Sequence, residues 1–176
     1  GGYSGAIHLD LEYTGAPTVD YRGIKKPAGA KVQFGFQTFV TGAVWKVTTF
    51  NFDKATADPR TQYEAWKQAS KKGTTADWND IDWSGRFPNR SLGRDYAGLI
   101  AESTFKVPAG QYDLETNSDD GVRVWVDDKL VIDNWTYHGP TIDKAKLNLS
   151  NDPHKFRVEY FQLDGWAALS VILRPH

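Results

Sequence analysis

From Gly98 to Leu173 the chain runs as short strand-like segments parted by tight clusters of turn residues, and this cadence constrains the fold more than any other feature. Leu99 to Val107 stops at Pro108-Ala109-Gly110, and Gln111 to Thr116 stops before Ser118-Asp119-Asp120-Gly121. Val122, Val124 and Val126 then alternate with Arg123 and Trp125, the period-two pattern of a half-buried strand. Asp127-Asp128-Lys129 supplies a second turn, and Leu130-Val131-Ile132 resumes the apolar run. Lys144 to Leu149, Lys155 to Phe161 and Ala167 to Leu173 follow, parted by Asn151-Asp152-Pro153 and by the loop Gln162 to Gly165. Many short strands joined by frequent turns are expected to close as a sandwich or barrel.

The upstream part fits the same architecture. Ile7 to Tyr13 alternates strictly, Lys31 to Val40 places Val32, Phe34 and Phe36 on one face, and Val44 to Phe50 reads as a third strand. One segment breaks the pattern. Asp58 as N-cap, Pro59 at the first helical position, and Lys71-Lys72 before Gly73 predict a short helix over about 59 to 71. Tyr63, Trp66 and Ala69 lie three apart, so one face of that helix can pack on a sheet. Residues 74 to 94 read as irregular. The expected fold class is therefore all-β with one short inserted helix, in a single domain over residues 1–176 without internal repeats.

Bulk properties remove several function classes. A net charge of −1 without a basic run makes nucleic acid an unlikely-looking partner class to be set aside. No apolar stretch approaches the roughly 20 residues of a membrane span, so no membrane insertion is expected. The absence of cysteine removes disulfides, thiolate metal sites and Cys nucleophiles together. The chain opens Gly1-Gly2-Tyr3 without Met and is read as a monomeric domain of a larger multidomain protein.

Asp119 and Asp120, side by side next to a rigid hairpin, are the first candidates for function. In an extended trans segment adjacent side chains point to opposite faces, so two neighbouring carboxylates share one ion only across a cis bond. Calcium takes 6–8 oxygen ligands, and positions left open by the protein can accept vicinal hydroxyls of a sugar ring. An aromatic side chain nearby would cover the C–H face of the sugar, and Trp135, Tyr137 and Trp166 are available. On local sequence alone, Asp119-Asp120-Gly121 also reads as a plain solvent-exposed turn. Trp166 precedes an apolar strand, so core packing suits it as well as sugar stacking. Asp127-Asp128 reads as a turn, Asp133 and Asn134 as structural residues bonding to backbone, and His138 as a lone structural histidine.

Taken together, Ser118-Asp119-Asp120-Gly121, Ile132-Asp133-Asn134-Trp135, His138, Val158-Glu159-Tyr160-Phe161 and Gly165-Trp166-Ala167-Ala168-Leu169 resemble the PA14 family of β-sandwich domains. Asp82-Trp83 and Val107-Pro108-Ala109-Gly110-Gln111-Tyr112 fit as well. The resemblance covers residues 44–174, with 1–43 as additional N-terminal strands. It implies a PA14-like antiparallel β-sandwich and a non-catalytic, carbohydrate-binding domain of the lectin or adhesin type. It further implies a Ca2+ ion held by Asp119 and Asp120 across a cis peptide, with Gln162 where flocculins carry Asn. Backbone carbonyls from Leu163 through Asp164 to Trp166 would complete the shell.

No enzyme is expected. Glu102, Glu115 and Glu159 lie on predicted strands, but nothing pairs them across a cleft, and there is no nucleophile elbow or phosphate-cradling loop. The expected partner is a monosaccharide or terminal glycan residue, at an extracellular or cell-surface location. Two alternatives remain open: a metal-independent glycan-binding module attached to a glycosidase, and a structural or assembly domain without sugar binding.

Overall fold

A computed structural model describes residues 43–176 together with the backbone of two short segments before them, β1 (Gln33–Phe34) and β2 (Gln37–Thr38), which pair antiparallel. The expected strand Ile7 to Tyr13 lies outside the described residues, as does most of the one expected over Lys31 to Val40. The remaining strands are β3 (Trp45–Asn51), β4 (Thr74–Trp78), β5 (Asp82–Ser84), β6 (Ala97–Phe105) and β7 (Gly110–Asp119). After them come β8 (Gly121–Val126), β9 (Lys129–Asn134), β10 (Thr141–Leu149), β11 (His154–Gln162) and β12 (Ala168–Pro175).

They form two antiparallel sheets, one in the order β4-β3-β6-β11-β8-β9 and one in the order β10-β7-β12-β5. This is the antiparallel β-sandwich expected. Alternate residues of each strand make the core: Val122, Val124 and Val126, then Phe156, Val158 and Tyr160, meet Tyr112, Leu114 and Leu169 from the other sheet.

The helical segment differs from expectation. There are two short helices, α1 (Lys54–Ala57) and α2 (Tyr63–Ala69), the second followed by a 3-10 turn. Asp53, not Asp58, caps α1, accepting from the Ala55 N–H. The Asp58 carboxylate accepts instead from the backbone N–H and the guanidinium of Arg60, a local turn that competes with helix propagation and delays the second helix to Tyr63. The packing expectation holds: Trp66 of α2 is fully buried with Phe50, Phe161 and Leu163 on the outer face of the larger sheet. That sheet is therefore covered on both faces around β11, which explains the unbroken buried run Val158 to Leu163.

Residues 74–94 are more ordered than expected, because they carry β4 and β5. β4 pairs with β3 and β5 with β12. Thr74–Trp78 is mostly exposed and β5 has three residues, so neither shows the buried alternation that marks a strand in sequence. Among the described residues no helix is long and apolar enough to cross a membrane.

Candidate functional site

Two of the chain's crossings between the sheets lie together at one end of the sandwich. The chain leaves the smaller sheet at Asp119, which pairs with Ala168, and enters the larger one at Gly121, which pairs with Phe161. It returns from β11 to β12 through residues 163–167. Because both crossings join the same two sheets at neighbouring registers, they lie side by side. Asp119-Asp120 is thus not the exposed turn its local sequence allows but a buried crossing, with Asp119 5% and Asp120 1% exposed. The bond between the two residues is cis, the backbone form that the resemblance implies.

Three bonds fix the crossing. The Tyr160 hydroxyl donates to the Asp119 carbonyl at 2.6 Å, the Asp120 N–H reaches the Phe161 carbonyl at 3.3 Å, and the Leu163 N–H donates to Oδ2 of Asp120 at 2.7 Å. No salt bridge reaches either carboxylate among the described residues. Burial raises the Asp119 pKa, while the adjoining Asp120 side chain and His138 oppose the rise. Burial pushes Asp120 up to about 7; the Leu163 N–H opposes this, and the charges of Asp119 and Asp164 add to it.

Gln162 lies next to this pair in β11 and is completely buried. Its Nε2 donates to the Gly165 carbonyl at 3.0 Å, which leaves Oε1 buried without a donor. In the loop that follows, the carbonyls of Leu163, Gly165 and Ala167 accept from Tyr96 N–H, Gln162 Nε2 and Gly85 N–H. The Asp164 and Trp166 carbonyls have no such donor among the described residues. Two carboxyl groups and one amide oxygen are thus buried at the crossing, and the adjoining loop carries two carbonyls without a donor; all are hard oxygen ligands. No cluster of three His, Cys, Asp or Glu ligands occurs among the described residues, so any ion here would depend on amide and backbone oxygens.

The rim is formed by Tyr137, Asp164 and Trp166. The Tyr137 hydroxyl donates to Oδ1 of Asp164 at 2.7 Å, which ties the loop after β9 to the loop after β11. Tyr137 is 55% and Trp166 56% exposed, and the Trp166 indole stands over Gly85. The core-packing reading of Trp166 is thereby replaced by a surface one.

Trp135 and Leu163 lie deeper than Tyr137 and Trp166. Trp135 belongs to the core beneath α2: its ring lies 4.8 Å from Phe161 and 5.2 Å from Trp66, and its indole N–H donates to the Pro59 carbonyl. It is half-buried, and Arg123 stands over its ring at 4.9 Å, so it is less open than Trp166. Leu163 is buried, so its side chain cannot meet a ligand, and its carbonyl is already used by Tyr96. Its part in the site is the N–H given to Asp120.

Asp133 pairs with Arg123, and Asn134 donates to Asp143, so both are structural through side-chain rather than backbone partners. His138 Nδ1 donates to the Gly139 carbonyl at 2.6 Å, and the residue lies close enough to Asp119 to lower its pKa. Arg60 and Tyr160 are the residues the sequence reading missed. Arg60 is held bidentate by Asp58 and feels the charge of Asp120 and Tyr137. Nothing in the sequence points from Arg60 to a carboxylate so far along the chain.

Solved structures share this architecture. The PA14 sugar-binding domain from an RTX adhesin aligns at a TM-score of 0.55 and 19% identity, over 77% of this chain and 90% of that one. An anti-sigma factor domain-containing protein from Clostridium clariflavum aligns at 0.59 and 17% identity, over 88% of this chain and 49% of that one. At these identities the likeness concerns the fold. In sequence, anti-sigma-I factor RsgI3 of Acetivibrio thermocellus is 33% identical over 87 residues, 47% of this chain. The chain spans only 13% of that protein's length. The PA14 domain family matches residues 41–175, nearly the whole of the sandwich, and the chain belongs to it.

Proposed function

We propose that this domain binds carbohydrate without catalysing a reaction, through a Ca2+ ion held at the double crossing. One observation carries the reading: Asp119 and Asp120 are buried side by side with no ion-pair partner, next to a buried Gln162 Oε1 with no donor. Two adjacent buried carboxyl groups and an orphan acceptor in one place are costly to ionise unless a cation satisfies them. Asp119, Asp120 and Gln162 would hold the ion by side chain, and Asp164 and Trp166 by their free carbonyls. The ion would supply coordination positions for vicinal sugar hydroxyls.

The protein's own groups do the rest. Trp166 and Tyr137 stand exposed at the rim, where an aromatic face can cover the C–H side of a pyranose. Tyr137, held by Asp164, gives that wall a fixed orientation. The adhesin domain of the same fold is described as sugar-binding, which agrees with this reading and with an extracellular or cell-surface location. The match to an anti-sigma-I factor favours a second setting for the same site, in which glycan capture is reported to an attached regulator.

Titration calorimetry against a panel of neutral monosaccharides, with calcium and with EDTA, tests the mechanism. Binding in calcium that vanishes with chelator and in a folded Asp119→Ala variant is expected. Equal affinity with and without EDTA would remove the ion from the mechanism.

A further inference from the structure

A second concavity lies away from the double crossing, on the inner side of the β3–β4 edge. It encloses about 420 Å³, within the range of sites that take small ligands. Its floor follows from strand register. Val47 and Thr49 of β3 pair with Ala76 and Thr74 of β4, and Trp78 continues the same face of β4. Residues two apart share a face, so the floor grades from threonine hydroxyls through a small apolar step to an indole. Thr74 and Trp78 are four residues apart, or about 13 Å along the strand, room for one or two pyranose rings.

The wall is Pro88-Asn89-Arg90, and it is anchored to the floor. Asn89 Nδ2 donates to the Thr49 hydroxyl at 2.9 Å, and Asn89 Oδ1 accepts from the Ser91 N–H and hydroxyl at 3.0 and 2.7 Å. Arg90 next to it is exposed and has no ion pair or hydrogen bond among the described residues. Among the described residues no carboxylate lines the groove, and Arg90 gives it a positive charge.

We propose that this groove is a second glycan subsite, independent of metal, that takes a hexuronate. Trp78 would meet the C–H face of the ring, Thr74 would bond ring hydroxyls, and the Arg90 guanidinium would pair with the sugar carboxylate. A neutral sugar leaves Arg90 without its partner, and a free anion without a ring leaves Trp78 without contact. The uronate ring supplies both groups at once. The site uses none of the residues of the double crossing, so it stands or falls separately from the calcium reading.

The test is calorimetry in EDTA with a short oligogalacturonate and with the same oligosaccharide methyl-esterified. The acid is expected to bind, and esterification or Arg90→Gln to weaken it about ten- to a hundredfold, the loss of one charge-assisted contact. Asp119→Ala is expected to leave this binding unchanged, and Trp78→Ala to abolish it in a domain shown to be folded by circular dichroism. Because Arg90 is exposed, Arg90→Gln gives a clear answer even if Trp78→Ala does not fold. Absence of binding in EDTA, equal binding of the ester, or an unchanged affinity in Arg90→Gln would each overturn the proposal.

Discussion

The Leu163 N–H donates to Oδ2 of Asp120 at 2.7 Å, joining two chain crossings that lie 43 residues apart in sequence. The bond favours the ionised form of Asp120, yet burial outweighs it and carries the pKa to about 7. Burial thus disfavours charge on Asp120, and a bound cation would favour it.

A cation at this place should stabilise the domain by mass action. At a calcium concentration one hundred times Kd the gain is about 2.7 kcal/mol. Differential scanning fluorimetry should therefore show a Tm several degrees higher in calcium than in EDTA, and no difference in Asp119→Ala. An identical Tm in both buffers for the wild type, at millimolar calcium, would argue against a specific ion.

Asp120→Asn should separate stability from function. The amide keeps an acceptor for the Leu163 N–H and removes a like charge from beside Asp119. The calcium-free variant should be more stable than the wild type above pH 7, while calcium-dependent sugar binding is lost. The sign follows from linkage: a carboxyl with a raised pKa binds more protons folded than unfolded, so its ionisation costs the folded state stability as pH rises. Chemical denaturation at pH 5 and pH 8 measures this, and the variant should reduce the difference, leaving the part that His154 contributes.

The two tryptophans once grouped as sugar contacts should behave oppositely. Trp166→Ala is expected to weaken glycan binding with a stability change within about 0.5 kcal/mol, as for an exposed side chain. Trp135→Ala removes a ring packed on Trp66 and Phe161 and should cost about 3 kcal/mol. Urea titration of both variants, with calorimetry on the same samples, distinguishes the roles.

Gly121→Ala should destabilise by about 1–3 kcal/mol, the usual cost of overpacking. A Cβ there would run into the Phe161 ring, itself buried beneath α2 and Trp135. Since Gly121 follows Asp120 directly, the same change should also lower calcium affinity, which a calcium titration followed by tryptophan fluorescence would register.

At the opposite end, His154 Nδ1 lies 2.6 Å from Asp127 Oδ2, linking the β8–β9 turn to the start of β11. The Asp127 carboxylate raises the His154 pKa despite opposing burial, and His154 lowers that of Asp127. Their mutual stabilisation should be complete between the unfolded pKa of Asp and that of His. It should fade as pH rises through the raised His154 value, and again as pH falls through the lowered Asp127 value. Denaturation across pH 5 to 9 should show a decline in stability that His154→Asn reduces, leaving the part that Asp120 contributes.

The sequence by itself determined the strand cadence and the antiparallel sandwich, and it singled out Asp119-Asp120 as a candidate site. Val122, Val124 and Val126, or Phe156, Val158 and Tyr160, announce a core face because side chains alternate along a strand. Asp127-Asp128 likewise declares a turn, and both residues adopt positive φ there. Local composition also drew Asp58 as a helix cap, where a side chain two residues on, Arg60, claims its carboxylate instead. What only the tertiary structure decided was which segments meet. Register across two sheets buries Asp119-Asp120 and brings Gln162 to Trp166 alongside, frees the Trp166 indole, and commits Trp135 to the core. Those outcomes depend on pairings between β7, β8, β11 and β12, which are long-range and leave no periodic trace in any one stretch of chain.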